Sequence, residues 1–410
     1  MPVPQPRHLR VATRRTPRDI NRRIALDLIR TNQPVSRADL ARLMGTRRGA
    51  VTLLVNELIR DGAVFEGATG EARRGRKPTF LYIDSRQRCV VAVDIRPTRT
   101  SMMLTDLTGR QLASVSSFPT ERDPQRFVAA LAKRVKTLLA EHRDLGRCEG
   151  VGLVVPGMVE SSAGRVLLAP NLGWRNVELR DPLAAALRLP VQIENSGKAC
   201  ALAQLWSSRD TAPANFAYVT VSDGLGVGVV IGGEVIRGQH NIAGEFGHVP
   251  LNIDGPRCGC GATGCWEAYV SNLATLSRYF GRTRAAREDV GREREQKSDT
   301  PTVTVDDLIV RARGGDAKAL AALLSTARYL GIGLGSVVNA IDPSHVYLAG
   351  EITAAWDLIE ATLRAGLAER ALTPAAGGTP IVIVPPERYP RLRGAAALVA
   401  AESFWGRGVA

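Results

Sequence analysis

Gly244-Glu245-Phe246-Gly247-His248 and, shortly after it, Cys258-Gly259-Cys260-Gly261-Ala262-Thr263-Gly264-Cys265-Trp266-Glu267 decide how this chain is read. His248, Cys258, Cys260 and Cys265 supply one imidazole and three thiolates, which complete a tetrahedral Zn²⁺ shell. The interspersed glycines let the backbone turn tightly enough to aim all four ligands at one point. A shell with no open position is structural, so any chemistry or recognition nearby falls to neighbours. Glu245 and Glu267 flank the ligands, which suggests a metal that keeps a polar pocket in shape. The competing reading is a set of reduced cysteines in a glycine-rich loop.

Working outward, the 410 residues contain only six cysteines, three of them in this run. Cys89, Cys148 and Cys200 are isolated, a usage that fits a reducing cytoplasm rather than a disulfide framework. No uninterrupted apolar run approaches the ~20 residues of a membrane span, and Met1–Arg15 lacks a signal-peptide core. Charge is uneven. Residues 1–88 carry 19 Lys and Arg against 8 Asp and Glu, a net +11 of the chain's +14. A polyanionic partner is therefore expected at the N-terminal end and not over the whole surface.

That basic end has its own pattern. Ile20, Ile24, Leu28 and Ile29 share one helical face over Asp19–Arg30, and Gln33-Pro34 ends that helix. Ser36-Arg37-Ala38-Asp39 opens a second helix with a capping box, Leu40 and Leu43 pointing inward. Gly45 stops it. A third helix follows from Arg47 with Val51, Leu54, Val55 and Leu58 inward. Ala63–Phe65 and Phe80–Ile83 read as a hairpin whose loop holds Arg73-Arg74-Gly75-Arg76-Lys77. The order predicts a winged helix-turn-helix over residues 18–84 that binds double-stranded DNA. Arg37, Arg47, Arg48 and Thr52 are the candidate base- and phosphate-contacting residues of the helices, with Arg74, Arg76 and Lys77 on the wing. Residues 1–17, rich in Pro and Arg, are expected to be a disordered basic tail.

From Cys89 the period changes to that of an α/β fold. Val90–Ile95 is a buried strand, with Thr100–Leu107 and Gln111–Ser117 beside it and a helix over Pro124–His142. Phe216–Val221, Gly226–Ile231 and Glu234–Ile236 repeat the strand cluster, again with helices later. Val346–Gly350 and Ile381–Val384 add buried strands. Two such clusters predict the two-lobed actin-like, sugar-kinase-like architecture. Lobe 1 covers 85–200, with a C-terminal helix over 390–410 returning to it, and lobe 2 covers 201–389. Arg282–Thr300 reads as an exposed charged insertion.

The sequence Gly-Glu-x-Gly-His followed by Cys-x-Cys-Gly-x-x-Gly-Cys-x-Glu resembles the signature of the ROK family of repressors, open reading frames and kinases. Val155-Pro156-Gly157, Ala169–Trp174, Ile193-Glu194-Asn195 and Gly224–Gly228 match it as well. With the winged helix in front, the chain resembles the ROK transcriptional regulators of the xylose, glucose and N-acetylglucosamine repressor type. The resemblance implies that Asn195, Glu245, His248 and Glu267 bind sugar hydroxyls, with Gly157 lining the site. Trp174 is either a stacking surface for a sugar or a core aromatic.

Four departures bear on catalysis. Family kinases carry an Asp after the Glu-Asn pair as the base for the attacking hydroxyl; here it is Ser196, too weak for that step. The glycines expected after Asp94 are Arg96-Pro97. Asp223-Gly224 stands where kinases have Gly-Thr, and Ala349-Gly350-Glu351 replaces a glycine run beside the nucleotide. The first removes the base for phosphoryl transfer and the other three remove features used to hold ATP. The expected function is a DNA-binding transcriptional regulator, a repressor, whose catalytically inactive kinase-like domain senses a carbohydrate-like effector. The expected partners are a pseudo-palindromic operator, a sugar or sugar derivative, and copies of the chain in a homodimer or homotetramer. A ligand-independent regulator and an active sugar kinase are the alternatives.

Overall fold

The computed structural model describes residues 16–69, 79–85, 88–207, 213–281 and 303–405. It divides into two compact units, one reaching Arg88 and a larger one from Cys89 to Ala400.

In the first unit, α1 (Thr16–Asn32) leads through β1 (Val35–Ser36) into α2 (Arg37–Leu43) and α3 (Arg48–Arg60). Strands β2 (Val64–Thr69) and β3 (Thr79–Ile83) follow, and the three strands form an antiparallel sheet in the order β1-β3-β2. Ser36 caps α2 as its sequence suggests. The Asp39 backbone N–H donates to Ser36 Oγ at 3.2 Å, and the Ser36 N–H donates to Asp39 Oδ2 at 3.4 Å. Gly45 turns the chain between α2 and α3 with φ +60°, a conformation that favours glycine. Leu40, Val51, Val55, Leu58 and Leu81 are fully buried. The face of α1 differs from expectation. Ala25, Leu26 and Ile29 point inward, while Ile20 and Ile24 are exposed. Helical period alone locates a stripe, and the neighbours that cover it choose its width. Leu43, in the last turn of α2, is also half exposed. The wing residues Arg74, Arg76 and Lys77, residues 1–15 of the expected 1–17 tail and the insertion 282–300 lie outside the described residues, while Thr16 and Pro17 of that tail instead open α1.

The second unit carries the duplication in its topology. β4 (Arg88–Ile95), β5 (Arg99–Asp106), β6 (Ser116–Pro119), α4 (Pro124–Glu141) and β7 (Arg147–Val155) come first. A side sheet of β8 (Met158–Glu160), β9 (Arg165–Ala169) and β10 (Trp174–Glu178) precedes α5 (Arg180–Leu187), β11 (Val191–Asn195) and α6 (Ser196–Ser207). The second half runs β12 (Phe216–Val221), β13 (Leu225–Ile231), β14 (Glu234–Val235), α7 (Glu267–Val270) and α8 (Asn272–Phe280). It continues with α9 (Val305–Arg313), α10 (Ala317–Ile341), β15 (His345–Gly350), α11 (Trp356–Arg370), α12 (Pro374–Gly377), β16 (Ile381–Val384) and α13 (Pro390–Trp405). The sheet orders are β11-β7-β4-β5-β6 and β16-β15-β12-β13-β14. Each is an antiparallel three-strand meander extended by later strands, with β11 parallel to β7 and β16 parallel to β15. The strand expected at Gln111–Ser117 is shorter: Gln111 makes a single bridge to Thr105, and β6 starts at Ser116.

Each lobe has its own core. Val91, Val93, Phe127, Leu153 and Ile193 centre the first; Val219, Leu330, Leu334, Leu348 and Leu363 centre the second. α10 is long and apolar enough to cross a membrane, but its apolar face is the middle of the second core. It packs tightly on α11. A Cβ at Gly331 would lie 2.0 Å from the Leu363 carbonyl oxygen, so only glycine permits the approach. α13 packs on the first lobe, where a Cβ at Gly152 would meet the Ala395 carbonyl oxygen at 1.8 Å.

Candidate functional site

The metal-ligand loop hangs between β14 and α7 and is held by its own backbone. Cys258 N–H donates to Ala262 O at 2.6 Å and Leu251 N–H to Gly264 O at 2.8 Å. A Cβ at Gly264 (φ +72°) would lie 1.6 Å from Asn252 O. Beside it, the Trp266 indole N–H donates to Tyr329 O in α10 at 2.9 Å, and the ring packs on Gly333. The loop therefore rests on the second core.

His248, Cys258, Cys260 and Cys265 converge as the sequence suggests, each with a ligand atom within 4.8 Å of the others. Cys258 Sγ lies 3.7 Å from His248 Nδ1, and Cys260 Sγ lies 3.8 Å from Cys265 Sγ. Tetrahedral Zn²⁺ bonds imply edges of ~3.6 Å (N to S) and ~3.8 Å (S to S), so the donor set fits the ion. Burial, and then the Glu267 carboxylate, push the Cys258 thiol well up. A divalent cation reverses that penalty by favouring the thiolates.

The pocket beside this cluster lies between the lobes, and all five predicted ligand residues line it: Gly157, Asn195, Glu245, His248 and Glu267. Its volume is about 50 Å³. Glu267 Oε2 accepts the Leu225 N–H at 2.9 Å, and the absence of a side chain at Gly224 lets it come close. Asn195 donates to Gly157 O at 2.7 Å and accepts the Gly197 N–H at 2.8 Å. Its amide thus fixes the β11–α6 junction and keeps one N–H for other use. Burial pushes the Glu245 carboxyl up, against the pull of Lys198 and His248. Trp174 is a core residue: its ring meets Phe127 edge-on and its indole N–H donates to Arg122 O at 2.7 Å.

The sequence reading missed Lys198 and Arg391. Lys198 is 1% exposed and donates to Asn241 O, in the loop leading to Glu245. Burial lowers its pKa, while Glu194 and Glu245 oppose that shift. A single lysine directly before the apolar run Ala199-Cys200-Ala201-Leu202 was the available signal. Arg391, at the start of α13, donates to Asp94 Oδ1 at 2.7 Å and to Ile95 O at 3.2 Å.

Two of the four departures turn out to be partners. Arg96 bonds Asp94 at 3.1 Å and Glu351 at 2.6 Å, joining lobe 1 to lobe 2. Asn272 donates to the other Glu351 oxygen at 3.1 Å. Burial works against the Glu351 charge, but Arg96 and Asn272 outweigh it and hold the carboxyl below its ordinary range. Arg96, Arg391, Asp94 and Glu351 form a charge-balanced network across the cleft.

In the N-terminal unit, Arg47 is the N-cap residue of α3, with Arg48 and Thr52 on its exposed face. Arg37 is committed internally, to Glu66 Oε1 at 2.9 Å, Asn56 Oδ1 at 2.9 Å and Thr52 O at 3.2 Å. It braces α2 against α3 and β2.

Residues 90–402 match the ROK family. The chain belongs to the ROK family. It is 28% identical over 353 residues to the xylose repressor of Bacillus subtilis, covering 86% of this chain and 87% of the relative. A glucokinase of Streptomyces coelicolor is 31% identical over 270 residues, covering 66% of this chain and 84% of the relative. A solved ROK family transcriptional regulator, a homologue of the Escherichia coli MLC protein, superposes with a TM-score of 0.77 at 25% identity. That match covers 95% of this chain and 97% of the other. The match to regulators runs through the N-terminal unit, which the glucokinase match does not require. This ROK protein is a transcriptional regulator of the repressor kind.

Proposed function

We propose that this ROK protein represses transcription by binding a pseudo-palindromic operator as a homodimer or homotetramer in the cytoplasm, and that a carbohydrate in the inter-lobe cleft sets its DNA affinity. The observation that carries the reading is the split character of the cleft. Its sugar-facing half keeps carboxylates, an amide and an imidazole, while its nucleotide-facing half is occupied by the Arg96–Glu351 network.

Glu245 and Glu267 accept hydrogen bonds from hydroxyls, and Asn195 both donates and accepts. His248, Cys258, Cys260 and Cys265 would hold Zn²⁺, which fixes the loop and the imidazole orientation. With the metal on His248 Nδ1, Nε2 is left for a hydroxyl. Ser196 cannot serve as the base for phosphoryl transfer, and Arg96 and Pro97 offer no glycine cradle for a triphosphate, so the domain senses without turnover. A carbohydrate that closes the cleft around itself would give the domain two arrangements, open and closed. A ligand acts only through its different affinity for the two arrangements. On the DNA, Arg47, Arg48 and Thr52 read the groove and Arg74, Arg76 and Lys77 contact the backbone, while Arg37 positions the helices.

The test begins with genome-wide mapping of bound sites. Fluorescence anisotropy on the recovered operator, with a panel of pentoses, hexoses and their phosphates, then measures the response. One or more sugars should shift operator affinity at least fivefold, and Glu245→Ala should abolish that shift while leaving unliganded DNA binding intact. No shift with any sugar would leave a ligand-independent regulator, and ATP-dependent phosphorylation of a hexose would restore the kinase reading.

A further inference from the structure

A second cavity, of about 120 Å³, lies away from the cleft, between α6, the β12-β15-β16 side of the second sheet and the start of α13. At its base is Tyr218, 2% exposed, whose hydroxyl has no hydrogen-bond partner among the described residues. A buried hydroxyl without a partner is costly, and such groups are rare in folded proteins. The neighbouring Tyr347 ring stacks near it, with centroids 6.2 Å apart and planes 19° apart. Its own hydroxyl is bonded to Gln204. Trp206 and Ile383 add apolar wall. Cys200 is fully buried there, and burial pushes its thiol up to about 12, so it stays neutral.

The rim has the opposite character. Arg388 and Arg393 line it, the first exposed and the second half-buried. Neither guanidinium pairs with a carboxylate among the described residues. The cavity thus combines an aromatic wall, one hydroxyl requiring a partner at its base, and two uncommitted cations at its mouth. Few polar groups converging on an apolar cavity is the pattern of a small-molecule site. A volume of about 120 Å³ admits one six-membered ring, and the forked donors of arginine suit a planar carboxylate.

We propose that this cavity is a second small-molecule site, separate from the inter-lobe cleft, that takes a single-ring aromatic carboxylate. The ring lies against Tyr347 and Trp206, the carboxylate meets Arg393 and Arg388, and a polar group para to it meets Tyr218 Oη. Two elements join this site to the cleft. α6 begins with Ser196 in the cleft and passes Cys200 and Trp206 in the cavity; α13 places Arg391 in the cleft and Arg393 at the cavity rim. A ligand that shifts either helix is felt in both places, which makes the cavity a second input to the regulator.

Isothermal titration of the full chain with 4-hydroxybenzoate, benzoate and phenol tests this. The two carboxylates should bind saturably at one site per chain, with phenol at least tenfold weaker. Arg393→Gln should weaken benzoate at least tenfold. Tyr218→Phe should weaken 4-hydroxybenzoate about fivefold and leave benzoate unchanged, and its melting temperature should not fall. Ala203→Leu, which fills the cavity from α6, should abolish binding by both, and it carries the test if Tyr218→Phe does not fold. Absence of saturable binding by both carboxylates overturns the proposal, whether or not a water is found on Tyr218 Oη. So does binding that is unaffected by Arg393→Gln and Ala203→Leu.

Discussion

Replacing Arg96 by alanine should loosen the regulator across its cleft. The side chain makes two charge-assisted contacts, to Asp94 at 3.1 Å and to Glu351 at 2.6 Å, and is 31% exposed, with its partners 6% and 22% exposed. Exposed pairs contribute about 0–1 kcal/mol, whereas removing one member of a buried pair costs about 3–5 kcal/mol. This pair lies between those limits. After the substitution Asp94 keeps Arg391 and Glu351 keeps Asn272, which favours the lower half of the range. The expected loss is about 2 kcal/mol, or a fall in melting temperature of roughly 5 °C for a unit of this size. A double-mutant cycle with Glu351→Ala, read by urea unfolding of the full chain, should give a coupling energy of about 1 kcal/mol. The sign with pH is set by Glu351. Its folded carboxyl titrates below the ordinary 4.5, so its contribution is complete above about pH 4.5 and disappears as pH falls through the lower folded value. Glu351→Gln should therefore flatten the acid limb of the stability curve in that window. A coupling energy indistinguishable from zero, with an unchanged acid limb, would refute the assignment of a cross-lobe network.

Three further outcomes follow from the geometry. Cys260→Ser should lower zinc measured by atomic emission from one per chain and blunt the sugar response, with nonspecific DNA affinity unchanged; full zinc and normal response would remove the clamp role. Arg48→Ala should weaken operator binding and reduce the magnitude of the salt slope of log K by about 1 if it contacts phosphate, read by anisotropy between low and moderate salt. Gly331→Ala should lower stability by more than about 2 kcal/mol, because a Cβ there sits 2.0 Å from a backbone oxygen of α11 and overpacking of this kind costs about 1–3 kcal/mol or more; calorimetry is the check.

What could be read from the chain alone was whatever nearby residues supply together. The capping box of Ser36 and Asp39 spans four positions, and the four metal ligands fall within one loop. Strand runs such as Val90–Val93 are apolar throughout because the sheet is covered on both faces. The inward face of α1 was not legible, because Ile20 and Ile24 fit the same period as the buried positions and only the packed neighbours distinguish them. Arg391 was not legible either: its partner Asp94 is 297 positions away, and nothing local marks the pairing. Arg96 and Glu351 were visible as losses of glycine but not as partners. Their meeting requires the two lobes to face one another, which is a property of the fold and not of either segment. Arg37 looked like a phosphate contact because it is basic and near α3, yet its donors are used by Glu66 and Asn56.

The placement of Arg96 against Glu351 has a consequence for how such a regulator reports. A sugar kinase that needs ATP answers to the energy state of the cell as well as to sugar, and it alters the molecule it binds. On the proposed sensing role, guanidinium and carboxylate in that half of the cleft would let the detected molecule leave chemically unchanged. The response would then be a reversible function of concentration alone, indifferent to adenylate levels, and it would decay as fast as the ligand does.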